Sequence, residues 1–243
     1  MTPSKKSTGR SVPTPVIAFV DVDNTLVKGA SIYMFAIEAW KSGFIKWHHV
    51  IPALFQQRYF IRKGETSKRI TSTRERAQAL VAGHSEADFN QVAEIAWRRS
   101  IAPKVFDDIV VRLQEHLSHG DQVWLLTASP QALASVMARD LRLTGAIGTT
   151  VEVVDGAFTG NIEGEMLHGP KKAEAATELA ERLGANLEDC YAYSDSAADI
   201  PLLELVGHPS AVNPDAELLA HAEQRLWPII WPEEAKKNKR RRS

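Results

Sequence analysis

A chain of 243 residues, 44% of them apolar, can build one large hydrophobic core or two small ones. Acids and bases nearly cancel to a net charge of -1, so the overall balance gives no reason to expect nucleic-acid binding. The single cysteine, Cys190, excludes an intrachain disulfide and points to a reducing compartment, and no apolar run reaches the roughly 18 residues of a spanning helix.

Met1 to Arg10 is polar and basic and lacks the apolar core of a signal peptide, so residues 1–14 read as a disordered lead-in. Val16-Ile17-Ala18-Phe19-Val20 then has the length and character of a buried strand. Two acids, Asp21 and Asp23, stand one residue apart at its end, within Asp21-Val22-Asp23-Asn24-Thr25. Bare carboxylates beside a core strand are costly unless something pairs with them. A metal ion is a suitable partner, and hard oxygen ligands favour Mg²⁺. Two residues apart on an extended chain, both acids face the same side.

Residues 31–100 show no strand alternation and read as helix broken by short loops. Ser31 is placed to cap a helix through Trp40, and Ser42-Gly43 breaks it. Gly64 closes a stretch holding Phe55, Tyr59 and Phe60, and Ser85-Glu86-Ala87-Asp88 has the form of a capped helix start. The block is an insertion of about 70 residues, a cap over the site at Asp21.

Pro103 opens a helix whose apolar residues Phe106, Ile109, Val110, Leu113 and Leu117 recur every three or four positions, and Gly120 ends it. Val123 to Leu126 is a buried strand ending at Thr127, and Ser129-Pro130 caps a helix to about Leu141. Residues 147–163 alternate around Asp155-Gly156, a strong hairpin signal. Gly169-Pro170 starts a helix to Leu183, stopped by Gly184. Cys190 to Tyr193 is a strand ending at Ser194-Asp195, and a short helix follows near Ile200 to Leu205. Ala211-Val212 and Leu226 to Ile230 are the last strands, with a helix begun at Pro214-Asp215 between them. Strands alternating with helices predict an α/β fold, a Rossmann-like parallel sheet with helices on both faces and an inserted all-helical cap. Ligands of such sheets bind beyond the carboxyl ends of the strands, where Asp21, Thr127 and Asp195 are all expected.

Four ordered stretches resemble the motifs of the haloacid dehalogenase superfamily, in the branch that contains phosphoserine phosphatase. The first is Asp21-Val22-Asp23-Asn24-Thr25, and the resemblance implies that Asp21 is a nucleophile forming an aspartyl phosphate. Asp23 would be general acid and then base, with its backbone carbonyl in the metal shell. Asn24 and Thr25 would shape the turn. The second, Leu125-Leu126-Thr127-Ala128-Ser129, makes Thr127 the hydroxyl that binds the phosphoryl group, with Ser129 as helix cap. The third, Gly169-Pro170-Lys171-Lys172, matches Gly-x-x-Lys at Lys172, whose ammonium would offset charge on the phosphoryl oxygens and on Asp21, with Lys171 the rival for this role. The fourth, Tyr193-Ser194-Asp195-Ser196-Ala197-Ala198-Asp199, implies Asp195 as a direct Mg²⁺ ligand. Asp199 would act through water or as an orienting acid. Asp21, Asp23, Asp195 and Asp199 in one crevice would repel one another without a cation, which again asks for Mg²⁺.

These motifs lie in residues 15–30 and 101–232, the expected core, and 31–100 is the expected cap. The reading is a Mg²⁺-dependent phosphomonoester hydrolase acting on a small phosphorylated metabolite or lipid. Phosphoserine phosphatase, a phosphotransferase and a non-catalytic phosphate-binding module stay open beside it. Phosphoserine phosphatases carry a Glu nine residues after the nucleophile to grip the substrate amine, and here that residue is Ala30. Arg74 and Arg76 are candidates to bind a substrate phosphate or carboxylate, and Trp40, Phe44, Trp47, Phe55, Tyr59 and Phe60 make the cap aromatic. The tail, residues 233–243, carries Lys236-Lys237-Asn238-Lys239-Arg240-Arg241-Arg242. Such a run is a solvated end or a peripheral contact with anionic membrane, so the expected location is cytoplasmic or at a membrane surface.

Overall fold

The structure, a computed structural model, describes residues 14–45 and 82–233. Arg74, Arg76, Trp47, Phe55, Tyr59, Phe60 and the basic run 236–242 lie outside the described residues. Six parallel strands form one sheet in the order β3-β2-β1-β6-β7-β8. They are β1 (Ile17–Val20), β2 (Gln122–Pro130), β3 (Gly145–Thr149), β6 (Tyr191–Ser194), β7 (His208–Val212) and β8 (Ile229–Ile230). A separate antiparallel hairpin joins β4 (Val151–Val154) to β5 (Ala157–Ile162).

β1 lies between β2 and β6, with Phe19 opposite Trp124 on one side and Ala192 on the other. All four of its residues are fully buried, as a central strand covered on both faces requires. The two-residue period divides them: Ala18 and Val20 enter one core, Ile17 and Phe19 the other. The first core includes Ile109 and Leu113 of α3 (Asp107–His119) and Leu133 and Met137 of α4 (Gln131–Asp140). The second includes Ala176 and Leu179 of α5 (Pro170–Leu183), Leu202 and Leu203 of α6 (Ile200–Leu205), and Leu218 and Ala222 of α7 (Ala216–Arg225). The strand order reverses at β1, which places a crevice over the carboxyl ends of β1, β2 and β6.

The described part of the insertion is helical: α1 (Ser31–Lys41) packs against α2 (Glu86–Ala96). Met34, Phe35 and Ala39 of α1 and Phe89, Val92 and Ala93 of α2 extend the first core without a break. Phe89 is the hub, with ring centroids 4.8 Å from Phe35, 5.8 Å from Phe44 and 5.1 Å from Phe158 of the hairpin. The hairpin is also stitched to the start of α2, where the Gly83 N–H donates to Phe158 O at 2.7 Å and the Glu86 N–H to Gly156 O at 3.0 Å.

Three local expectations change. The alternating stretch 147–163 is divided, because β3 joins the main sheet beside β2 and only β4 and β5 form the hairpin. The helix expected from Pro103 starts at Asp107, after a short 3₁₀ turn over Ala102–Lys104. Ser31 is the first residue of α1 rather than its cap, and Ser129 does not cap α4, whose preceding residue is Pro130. Both serines are turned inward, for reasons found in the crevice.

Candidate active site

Asp21 leaves β1 into the crevice, 6% exposed, and its own N–H donates to Tyr193 O on β6 at 2.9 Å. Lys172 arrives from the first turn of α5, 3% exposed. Its ammonium donates to Asp21 Oδ1 at 2.5 Å and to Asp199 Oδ2 at 2.6 Å. Asp199 Oδ2 also accepts the Ser194 hydroxyl at 2.6 Å. The Lys172 ammonium is thus held between Asp21 and Asp199. Lys171 turns to solvent and pairs with Glu165 and Glu174, so packing separates the two lysines.

Gly169 makes this seating of α5 workable. It precedes the helix at φ 56°, ψ -127°, a conformation open to glycine, and an added Cβ would lie 3.4 Å from Ala198 O.

Asp23 is partly exposed, and its carboxylate turns toward α1. Asp23 Oδ1 accepts the Ser31 N–H at 2.9 Å and the Ser31 hydroxyl at 2.6 Å. The Ser31 hydroxyl lies 2.8 Å from that of Ser129. Thr127, 2% exposed on β2, accepts the Ser129 N–H on its Oγ1 at 3.1 Å. Asn24 takes a left-handed φ of 58° and accepts the Gly29 N–H at 3.0 Å, and its side chain favours the charged form of Asp195.

The electrostatics follow from burial. The Asp21 carboxyl is pushed up to about 6, first by loss of solvent; Lys172 pulls it back, and the Asp199 and Asp23 charges push it up. Asp195 is raised well above the ordinary carboxylate range, by burial first and then by the Asp21 charge. Asp23 is raised by burial, against the two Ser31 hydrogen bonds. For Lys172, burial alone would favour the neutral amine, but the charges of Asp21 and Asp199 outweigh it and hold the pKa above its usual value.

Among the described residues no group of three or more His, Cys, Asp or Glu is gathered as a metal cluster. The donor chemistry still fits a hard cation. Asp195 is repelled by Asp21, and both are carboxylates held at raised pKa, which a bound divalent ion would relieve. One ammonium shared by Asp21 and Asp199 leaves that repulsion standing.

A family model of haloacid dehalogenase-like hydrolases matches residues 18–204, from β1 to α6. The chain belongs to the haloacid dehalogenase-like hydrolases. Among similar proteins, the phosphoserine phosphatase SerB1 of Mycobacterium tuberculosis is 45% identical over 213 residues, covering 87% of this chain and 69% of its own. A histidinol-phosphatase of Neisseria meningitidis is 31% identical over 222 residues, covering 88% and 97%. A solved protein of unknown function from Bordetella pertussis superposes with a TM-score of 0.77 at 29% identity, covering 89% of this chain and 98% of its own. A substrate-bound phosphoserine phosphatase structure gives 0.65 at 22% identity, covering 89% and 92%, a likeness of fold. The chain is thus a phosphatase of this superfamily on a Rossmann-like sheet, and Mg²⁺ is typical of the family. No helix among the described residues is long and apolar enough to cross a membrane.

The residues that sequence reasoning undervalued are Ser31, Ser129, Ser194 and Asn24. Asn24, Ser129 and Ser194 lie within the motifs and Ser31 outside them, and the Ser31–Ser129 contact, 98 residues apart in sequence, is one that spacing does not signal.

Proposed function

We propose that the protein hydrolyses a small phosphomonoester lacking an amine, through a phospho-Asp21 intermediate. The observation that carries this reading is the buried Asp21–Lys172–Asp199 arrangement at the carboxyl end of the central strand. Asp21 attacks phosphorus as a carboxylate while the P–O bond to the leaving group breaks. Asp23 gives its proton to the leaving oxygen, and then takes one from the water that attacks the intermediate. That second attack breaks the acyl-phosphate P–O bond and releases phosphate and the Asp21 carboxylate. Thr127 and Lys172 hold the phosphoryl oxygens, and the ammonium offsets their charge. Asp21, Asp195 and the Asp23 carbonyl would hold Mg²⁺, which when bound neutralises phosphoryl charge. Core and cap divide at residues 30–31 and 100–101 in this reading.

The alcohol part of the substrate follows from Ala30. It stands immediately before α1, beside Ser31 and Asp23, and offers an ammonium group no charge. The relatives named phosphoserine phosphatase and histidinol-phosphatase support phosphomonoesters of metabolite size. The test is turnover of p-nitrophenyl phosphate with Mg²⁺ by wild type and by Asp21→Asn. Enzymic hydrolysis of an alkyl phosphate asks for on the order of 20 kcal/mol of barrier lowering. The folded Asp21→Asn variant is expected to lose turnover and to form no acid-stable-protein-linked phosphate. A variant keeping about a tenth of wild-type kcat, a loss of only ~1.4 kcal/mol, would remove Asp21 from the mechanism.

A further inference from the structure

We propose that Ser31 is a positioning residue that decides which oxygen of Asp23 exchanges the proton with the leaving group and the water. The inference rests on the reading of Asp23 as acid and base.

Two donors from one residue converge on one oxygen: the Ser31 N–H at 2.9 Å and the Ser31 hydroxyl at 2.6 Å both reach Asp23 Oδ1. With its proton committed to Oδ1, the Ser31 oxygen accepts from the Ser129 hydroxyl, 2.8 Å away. Ser31 is fully buried and Ser129 is 3% exposed, so water does not compete for this chain. An oxygen that already accepts two hydrogen bonds is a poor place for a proton. When Asp23 carries its proton, that proton sits on Oδ2. As the P–O bond breaks, the electron pair stays on the leaving oxygen and the Oδ2 proton goes to it. In the second half-reaction Oδ2 takes a proton from water as the water oxygen bonds to phosphorus.

A capping role would not explain this arrangement. The residue before α1 is Ala30, and Ser31 spends both of its donors on Asp23 rather than on its own helix. The chain also joins three separate parts of the fold. Asp23 follows β1, Ser31 starts the insertion, and Ser129 lies at the end of β2, 98 residues away from Ser31.

The test compares single-turnover phosphorylation by an alkyl phosphate, whose leaving oxygen needs a proton, with that by p-nitrophenyl phosphate, whose leaving group needs little. Ser31→Ala keeps the backbone N–H and removes the hydroxyl. It is expected to slow the alkyl substrate about tenfold and the aryl one about twofold or less. Ser31→Thr keeps a hydroxyl and is expected to restore the alkyl rate. Ser129→Ala leaves Asp23 untouched, tests the far end of the chain should Ser31→Ala fold poorly, and is expected to show the same bias more weakly. Equal losses on both substrates, or a Ser31→Thr no better than Ser31→Ala, would overturn the proposal. Asp23→Asn separates the two levels: if it shows no leaving-group bias, the acid–base reading itself falls. If Asp23→Asn shows the bias and the folded serine variants do not, only the role of Ser31 falls.

Discussion

Asp195 shows how single residues carry the cost of this site. Burial and the Asp21 charge raise its pKa well above the ordinary value of 3.8, so in the metal-free protein the folded chain holds a proton that the unfolded chain releases. A carboxyl raised in this way lowers stability as pH rises above its unfolded value, and the full cost is present above its folded value. Asp195→Asn removes the charge without removing the acceptor for Asn24. In EDTA at pH 8 the variant should therefore melt about 2–4 °C above wild type, the shift that roughly 1 kcal/mol produces in a chain of this size. The difference should close as pH falls toward 4, below which both forms are neutral. Thermal scans across that range, with and without Mg²⁺, check the sign. With Mg²⁺ the wild type should gain stability that the variant does not.

Helix α5 is the element that turns local sequence into chemistry. Pro170 at its first turn and Gly184 in a left-handed conformation after Leu183 set its ends by local backbone rules. Its entry angle depends on Gly169, whose φ of 56° lets the first turn place Lys172 on Asp21. Gly169→Ala should cost about 1–3 kcal/mol of stability and also lower kcat, because the same strain displaces the lysine. Gly207, immediately before β7, is the control. A Cβ there would fall 1.8 Å from Glu188 O, a backbone atom that cannot swing aside. Gly207→Ala should destabilise at least as much and leave kcat of the folded fraction near wild type. Denaturant unfolding and active-site-titrated turnover read the two apart. Loss of kcat in both variants, or in neither, would detach the glycine at α5 from catalysis.

At the scale of the whole molecule, the sheet, helices α1 and α2 and the hairpin share one continuous apolar cluster, from Val20 through Phe35 to Phe89 and Phe158. The helix α1 begins within hydrogen-bonding reach of Asp23, so in the proposed reading the alcohol part of a substrate meets Ala30 and α1. With alanine there, phosphoserine should be a poorer substrate than an amine-free phosphomonoester of similar size. Ratios of kcat/KM are expected to differ by about tenfold or more, as an unmet charge in a closed site implies. A clear preference for phosphoserine would show that another acid grips the amine. Ala30→Glu then serves as a gain-of-function check, and should narrow the ratio.

Local physics determined much of this protein from the sequence alone. A buried apolar run ending in two acids, a helix bounded by Pro170 and Gly184, and the Asp155-Gly156 turn each follow from the backbone preferences of adjacent residues. Asp155 and Gly156 do take left-handed φ values of 50° and 76°. Three of the four motifs, those of Asp21, Thr127 and Asp195, follow predicted strands, and a parallel sheet puts those carboxyl ends on one edge, whereas Lys172 comes from the first turn of α5. Tertiary structure decided what adjacent residues share equally. Lys171 and Lys172 have the same local setting, and only the packing of α5 buries one and leaves the other with Glu165 and Glu174. Gly145–Thr149 pairs with β2 rather than with the hairpin through non-local contacts that alternation cannot encode. Ser31 and Ser129 look like helix caps by position, and become a buried hydroxyl chain because the fold brings Asp23, the cap and β2 together, where an unpaired carboxylate oxygen would be costly.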